Sequence, residues 1–462
     1  MNLSGAGPRR LCTAMVLLAV WAATAVPAAA SNEALLRLLQ VLRDRGSITA
    51  AEYEEIRKVA SMPGPAAPDA RVAVVEQRVA AQEKALSGKW YEKIGLRGYA
   101  QVRFSNVTSY KGVPVEVPND RSVNAPETIM IRRGRMVFSG DPTERLSVYT
   151  QFDLNGSTGA ADFSLQMRDL YADVWFDKAR TWRVRLGQSK VPFGWVNLQS
   201  SQNRATLERP DALNSAVEGE RDLGASLMWT SPAAKQRFRE LTALGLKGSG
   251  DYGVVAGGAY GGQGLNRSDL NGNVHLVGRF AYPFKLGNGQ FFEIGVQGYR
   301  GRFVSPVQAV TIGGSLVTPT QRPDGVLDSR GAVTAIWYPQ PFGVEAEWTV
   351  GRGPTLSADG RSILDDSLHG GYVQINVRTQ NRVGTWFPFS RWNYFDGARK
   401  FARNAPVTKV NELDLGVEFA RWAEVELTAM YTRTFTRTRT SAFPYGPSND
   451  ANRFGLQVQW NY

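Results

Sequence analysis

From residue 90 onward, apolar and polar residues alternate in short runs. In one run Leu146, Val148 and Phe152 alternate with polar residues such as Gln151 and Asp153. Alternation with a period of two predicts β-strands with one apolar face and one polar face. Because the polar faces carry many charges, which are costly in a sandwich core, the pattern favours a barrel around a water-filled lumen.

Sixteen such runs predict an all-β fold, a transmembrane antiparallel β-barrel of about sixteen strands. The predicted strands lie near residues 90–104, 128–139, 145–153, 167–176, 181–188, 222–230, 252–260, 274–282, 291–303, 331–338, 344–353, 368–378, 384–394, 411–420, 423–435 and 453–462. Short and long connections alternate, as periplasmic turns and outer loops do in such barrels. The long connection 231–251 stands where a short turn is expected, so we expect an extra short strand or a periplasmic excursion there.

The N-terminus has the three parts of a secretory signal peptide. Arg9 and Arg10 precede an apolar run that begins at Leu11, and three alanines end at Ala30. This arrangement predicts a signal peptide over residues 1–30. The chain has one cysteine, Cys12, inside that segment. The exported chain is therefore expected to form no disulfide bond.

Residues 31–88 have helical rather than alternating patterns. A helical hairpin is predicted over 31–60, its second helix starting at the capping box Thr49–Glu52. A Pro/Ala linker follows over 61–70, and a short coiled-coil helix over 71–88. The apolar seam of that helix, with one polar position, consists of Val72, Val75, Val79, Gln82 and Leu86. A solvated single helix is the alternative, and the barrel domain is assigned to 89–462.

The net charge of the chain limits the classes of partner that are expected. It has 54 Lys and Arg against 42 Asp and Glu, a formal charge of +12, and loss of the two signal-peptide arginines leaves about +10. An exported protein does not meet nucleic acid in its ordinary surroundings. Small anionic solutes, outer-membrane lipid and lipopolysaccharide are therefore the expected partners. The only long apolar run lies at the N-terminus, which excludes a polytopic helical membrane protein.

The C-terminal strand has apolar residues at every second position and ends on an aromatic residue. These residues are Phe454, Leu456, Val458, Trp460 and the terminal Tyr462. The pattern resembles the signal that the bacterial barrel-assembly machinery reads, so we expect that machinery to bind through Tyr462. An ordinary edge strand is the alternative.

Three stretches resemble the phosphate-selective porin O and P family. They are Ile131–Gly140; Leu186–Gly194 with Leu207–Pro210 and Arg221–Gly224; and Trp392–Gly397 with Glu412–Glu418. The resemblance covers about residues 90–462. It implies a trimeric porin of the bacterial outer membrane, with sixteen strands and an inward-folded loop that narrows each pore. It further implies passive diffusion of small hydrophilic solutes, with a preference for anions such as phosphate or pyrophosphate.

Basic residues on the polar strand faces are the candidates for anion binding. Residues at i and i+2 share one face of a strand, and the arginine fork suits oxyanions. The candidates are the pairs Arg133 with Arg135 and Arg183 with Arg185, Lys190, Arg204 and Arg209 of the long loop, and Arg279. Arg132, Arg300 and Arg302 share the parity of apolar neighbours, so we expect them to reach lipid headgroups instead.

Carboxylates on the same polar faces leave open whether the pore selects anions or cations. They are Asp169, Asp173, Glu345, Glu347, Glu412, Asp414, Glu418, Glu424 and Glu426. They could set up a field across the lumen by balancing the arginines. The alternative is an unselective or cation-leaning general porin with a helical preface that tethers the envelope.

Enzymatic chemistry lacks its usual residues. His275 and His369 lie on different predicted strands, and the sequence has neither a P-loop nor a G-x-S-x-G motif. We expect no catalytic residues, no cofactor and no metal. A barrel-embedded hydrolase using His275 is the remaining enzymatic alternative.

Overall fold

The computed structural model describes residues 39–41, 43–44, 49–60, 90–109, 127–155, 164–217, 219–439 and 449–462. The chain divides into two compact units, Met1–Gly88 and Lys89–Tyr462. The first contains helix α1 (Ala50–Ala60), in which the Tyr53 amide donates to the Thr49 carbonyl at 2.9 Å. The predicted signal peptide, the 61–70 linker and the 71–88 helix lie outside the described residues. None of the described helices has the length and apolar character needed to cross a bilayer.

The second unit is a closed barrel of sixteen antiparallel strands. They are β1 (Ile94–Ser109), β2 (Glu127–Thr143), β3 (Leu146–Asn155), β4 (Ser164–Trp175), β5 (Trp182–Lys190), β6 (Arg221–Trp229), β7 (Val255–Tyr260), β8 (His275–Lys285), β9 (Phe291–Phe303), β10 (Val326–Trp337), β11 (Phe342–Leu356), β12 (Ile363–Val377), β13 (Thr385–Ala398), β14 (Val407–Trp422), β15 (Val425–Arg439) and β16 (Asn449–Asn461). Each strand pairs with the next, and β16 pairs with β1. A two-residue strand, Thr379–Gln380, pairs with the start of β13. The predicted sixteen-stranded barrel is confirmed.

The last residue of the chain closes the seam between β1 and β16. The Gly98 amide donates to the Tyr462 carbonyl at 2.7 Å, and the Tyr462 amide donates back at 3.0 Å. The Tyr462 hydroxyl also donates to the carbonyl of Arg135 on β2, at 3.0 Å. Tyr462 therefore ties three strands together at the closure point.

The two faces of the barrel differ in chemistry. On β5, Trp182 and Leu186 are 44% and 49% exposed, whereas Arg183 and Arg185 are buried. Phe454, Leu456, Val458 and Trp460 are likewise exposed along β16. An apolar outer band with charges inside is the arrangement of a barrel that spans a lipid bilayer.

The connection between β9 and β10 contains a small hairpin of Val310–Ile312 and Ser315–Val317, and two other connections contain helices. The loop 191–220 between β5 and β6 contains helices α2 (Trp195–Leu198) and α3 (Asp211–Ala216). The connection between β6 and β7 contains helix α4 (Pro232–Ala243), whose first turn is capped by the Ser231 hydroxyl accepting from the Ala234 amide at 3.2 Å. The long connection 231–251, for which an extra short strand or an excursion was expected, is therefore an excursion.

The largest apolar cluster packs both connections against the barrel wall. The loop contributes residues such as Phe193, Trp195 and Leu213, and α4 contributes Phe238 and Leu241. The wall contributes Tyr299, Ile336, Tyr338 and Tyr372, among others. Apolar packing therefore holds the two connections against inward-facing positions of β9 to β12.

Candidate functional site

The loop 191–220 crosses the interior of the barrel. At one point the Trp195 amide donates to Glu347 Oε2 on β11 at 2.6 Å, and at another Arg330 Nη1 on β10 donates to Ser215 Oγ at 2.6 Å. Elsewhere Arg103 Nη2 on β1 donates to the Leu207 carbonyl at 2.9 Å. Because these strands lie far apart around the barrel, the loop spans the lumen and forms a constriction.

A glycine begins the inward course of this loop. Gly194 has a φ of 79°, in the left-handed region that favours glycine. A Cβ atom there would lie 2.4 Å from Leu213 Cδ1. A side chain at this position would therefore force the Leu213 side chain to shift and would strain the backbone.

Glu208 is the centre of a basic cluster between the loop and strands β1 and β2. Its carboxylate lies 2.8 Å from Arg103 Nη1, 2.8 Å from Arg132 Nη2 and 3.2 Å from Arg133 Nη2. Burial raises the pKa of this carboxyl group, but Arg132, Arg133 and Arg103 hold that pKa well below its usual range. The carboxylate is therefore ionised and fixes the loop to the wall.

The position of Arg132 contradicts the expectation that it reaches lipid headgroups. The register of β1 against β2 shifts so that Gln101 faces Arg133 and Val102 faces Ile131. Arg132 is thus the extra residue of a β-bulge, which places its side chain inside together with that of Arg133. Arg300 is exposed, and Arg302 donates to the Gly325 carbonyl at 2.9 Å in the loop after β9.

The two predicted arginine pairs are buried on the inner face of the barrel. Arg135 Nε lies 3.2 Å from an Asp153 oxygen. Arg185 Nε lies 2.8 Å, and Arg183 Nε 3.5 Å, from Asp173 oxygens. Each pair therefore faces inward as predicted, with much of its charge balanced by neighbouring carboxylates.

Three further candidates also have partners. Lys190 Nζ donates to the Gln199 carbonyl at 2.8 Å, which ties the root of the loop to the end of α2. Arg209 Nη1 lies 2.8 Å from Glu220 Oε1, within the same loop. Arg279 Nη1 donates to Gln297 Oε1 at 2.6 Å. Lys190 and Arg209 therefore hold the constriction in shape.

Arg204 differs from the other candidates. It lies on the loop between α2 and α3 and is only 6% exposed, yet none of its three guanidinium nitrogens has a hydrogen-bond partner among the described residues. Burial, with Arg133 next, lowers the pKa of this guanidinium well below its ordinary value. Such a buried cation is stabilised by an added anion.

Strand β14 carries inward-facing carboxylates, as the sequence predicts. Asp414 lies 2.7 Å from Arg391 Nη2, Glu412 lies 2.5 Å from Arg453 Nη2, and Glu418 lies 2.6 Å from Lys247 Nζ. Glu424 was expected to face the lumen, and this is wrong, because it is exposed in the turn between β14 and β15.

The interior also contains basic residues that are not among the predicted candidates, notably Arg103, Arg391 and Lys247. Arg103 alternates with apolar Val102 and Phe104, so its parity was a usable signal. Lys247 lies in an irregular connection, where alternation gives no signal at all.

A closed antiparallel barrel with an apolar outer band and a loop across a charged interior defines the class of outer-membrane porins. The chain belongs to the phosphate-selective porin O and P family, whose sequence profile matches residues 108–462. The protein resides in the bacterial outer membrane. Among proteins with curated descriptions, none matches the sequence.

Solved structures with a similar backbone fold include several outer-membrane proteins. OmpT of Vibrio cholerae has a TM-score of 0.49 at 10% identity, covering 80% of this chain and 97% of that one. The outer-membrane channel DcaP of Acinetobacter baumannii has a TM-score of 0.47 at 14% identity, with coverage of 80% and 97%. An anion-selective porin from Comamonas acidovorans has a TM-score of 0.44 at 10% identity, with coverage of 80% and 99%. The family match, and not these likenesses, decides the class.

Proposed function

We propose that the protein is a channel for passive diffusion of small hydrophilic anions, such as phosphate or pyrophosphate, and that it is not an enzyme. The observation that carries the proposal is the Arg204 guanidinium, buried in the constriction without a hydrogen-bond partner among the described residues. An oxyanion passing the loop would supply the missing acceptors. Arg suits this task because its planar fork donates two parallel hydrogen bonds to an oxyanion.

The surroundings of Arg204 favour an anion over a cation. Arg133 and Arg135 lie near enough to affect the pKa of Arg204, and Glu208 is already shared by three other arginines. At an effective dielectric of about 20, a unit charge pair 4 Å apart contributes about 4 kcal/mol, against about 1 kcal/mol in bulk water. A partly dehydrated anion beside Arg204 therefore gains more than it would in solution.

We further propose that the channel is a homotrimer in contact with lipopolysaccharide and that the barrel-assembly machinery recognises its C-terminal strand. The family resemblance and the apolar seam from Val72 to Leu86 support the trimer. The exposed aromatic residues Trp460 of β16 and Tyr462, which directly follows it, support contact with lipid and recognition of the strand.

Replacement of Arg204 tests the proposed anion site. In planar bilayers, we expect millimolar phosphate to block the chloride current of the wild-type channel and R204Q to weaken this block about tenfold. R180Q is the matched control, because Arg180 lies in the turn between β4 and β5, where it pairs with Asp141. Heat-modifiable migration on a gel shows whether the R204Q barrel is folded. If phosphate blocks the chloride current of a folded R204Q channel as strongly as that of the wild type, the proposal is contradicted.

A cation-leaning general porin is the second candidate function. It is favoured by Glu345 and Glu347, two buried carboxylates of β11 that form no ion pair among the described residues. Glu347 instead accepts hydrogen bonds from the Trp195 and Val196 amides, and Glu345 accepts one from Asn376. A reversal potential of the cation-selective sign would favour this second function.

A further inference from the structure

We propose that Lys247 is a second specificity-determining residue, which the connection between β6 and β7 carries into the barrel. There it offsets the acidic wall, which consists of Glu345 on β11, Glu418 on β14 and Glu426 on β15. Lys247 thereby keeps that side of the lumen permeable to anions. The inference rests on the proposed channel function and deepens it, because it adds a second basic group next to the loop that carries Arg204.

The connection is anchored to the barrel by helix α4. Phe238 and Leu241 on its inner face are buried in the main apolar cluster. On its outer side, Arg237 Nη1 donates to the Pro283 carbonyl at 2.9 Å, and Glu240 lies 2.7 Å from Lys285 Nζ. The end of α4 is therefore fixed relative to β8.

The chain reverses immediately after α4 and presents Lys247. Gly245 has a φ of 64°, and the Leu246 amide donates back to the Leu241 carbonyl at 3.0 Å. Lys247 itself has a φ of 58°, a left-handed conformation that is unfavourable for a residue with a side chain. Such conformations persist only where surrounding contacts hold them, and they concentrate at functional positions.

The contacts that hold Lys247 come from the acidic wall and from the constriction loop. Its Nζ lies 2.6 Å from Glu418 Oε1 on β14 and 4.9 Å from the centre of the Phe387 ring on β13. Its carbonyl accepts a hydrogen bond from Gln199 Nε2 at 2.6 Å. The excursion and the loop 191–220 therefore meet at Lys247.

Lys247 offsets more than one carboxylate. Burial lowers the pKa of its amine, but Glu418, Glu426 and Glu345 together raise that pKa above its ordinary value. The amine is therefore charged. Without it, Glu418 would lose its ion pair, and the wall around Glu418 would become more negative, which favours cations over anions.

Neutralising the charges of Lys247 and Glu418, singly and together, tests the inference in permeability measurements. In a KCl gradient, we expect K247Q to lower the anion-to-cation permeability ratio about twofold to fivefold, E418Q to raise it, and K247Q/E418Q to return it toward the wild-type value. K247R should retain the wild-type ratio. K285Q is the matched control, because Lys285 pairs with Glu240 on the outer side of the same excursion.

Two outcomes would overturn the inference. One is an unchanged ratio in K247Q. The other is a lowered ratio that persists in K247Q/E418Q together with a raised conductance, because that result indicates a displaced excursion and not a lost charge. The permeability ratio of each variant is compared with that of the wild type. A cation-selective wild-type channel would therefore contradict the proposed function, whereas the shift of the ratio in K247Q tests the role of Lys247 by itself.

Discussion

The Arg132 Nη2 atom on β2 lies 2.8 Å from Glu208 Oε1 on the loop that crosses the lumen. The bulge at this position turns Arg132 inward, and Glu208 consequently serves three arginines at once. One loop carboxylate therefore balances three arginines of β1 and β2 and also anchors the constriction to these strands.

The first prediction concerns this shared carboxylate. In E208Q, three buried arginines lose their common anion, and we expect the anion-to-cation permeability ratio to rise. Breaking a buried ion pair on one side costs about 3–5 kcal/mol, so the loop should also dock less tightly and the open-channel current should become noisier. Single-channel recording measures both effects. E240Q, at the outer surface of α4, is the matched control, and a fall in the ratio of E208Q would contradict this assignment.

The second prediction concerns the wall of Arg183 and Arg185. Replacing both by Ser should lower the anion-to-cation permeability ratio, and most clearly at low salt, since the Debye length falls to about 10 Å at 0.1 M. Because Asp173 lies within 3.5 Å of both guanidinium groups, we expect a smaller effect than that of R204Q. Reversal potentials at two salt concentrations measure it. An unchanged ratio in a folded barrel would remove this wall from the selectivity mechanism.

The third prediction concerns barrel closure at Tyr462. Its backbone forms two hydrogen bonds with Gly98, and its hydroxyl forms one with the Arg135 carbonyl. Deletion of Tyr462 should therefore lower the yield of folded barrel in the outer membrane and lower its unfolding temperature on heated gels. Y462F keeps the backbone bonds and the ring, so it should come close to the wild type. Equal yields and unfolding temperatures for the deletion and the wild type would contradict the proposed role.

The fourth prediction separates the helical preface from the barrel. Removal of residues 31–87, with the signal peptide kept, should leave the heat-modifiable barrel intact, because the barrel sheet begins at Ile94 and closes without them. If the Val72–Leu86 seam pairs between subunits, the same truncation should weaken the trimer on mild-detergent gels. A trimer of unchanged stability would assign trimerisation to the barrel alone.

Alternation was sufficient to predict the barrel but not its interior. All sixteen predicted segments overlap the observed strands, since the two-residue period directly reflects one lipid-facing and one inward-facing side. The same period placed Arg132 on the wrong face, because a bulge shifts the parity by one residue. The bulge leaves no mark in a single sequence.

The sequence identifies the candidate basic residues but not the carboxylates with which each of them pairs. Arg183 and Arg185 face inward as the alternation predicts. Their pairing with Asp173 depends on which inward residues face each other across β4 and β5, and this follows from the strand register. Arg204 and Lys247 lie in irregular connections, where only tertiary packing decides which side chain enters the lumen.

The zero-current potential of the wild-type channel in a KCl gradient tests the central claim most directly. The protein should be reconstituted in a neutral-lipid bilayer, so that lipid charge does not set the sign. We expect a potential whose sign shows that chloride is more permeant than potassium. We also expect the chloride current to fall when phosphate is added. A potential of the opposite sign, from a folded barrel, would contradict it.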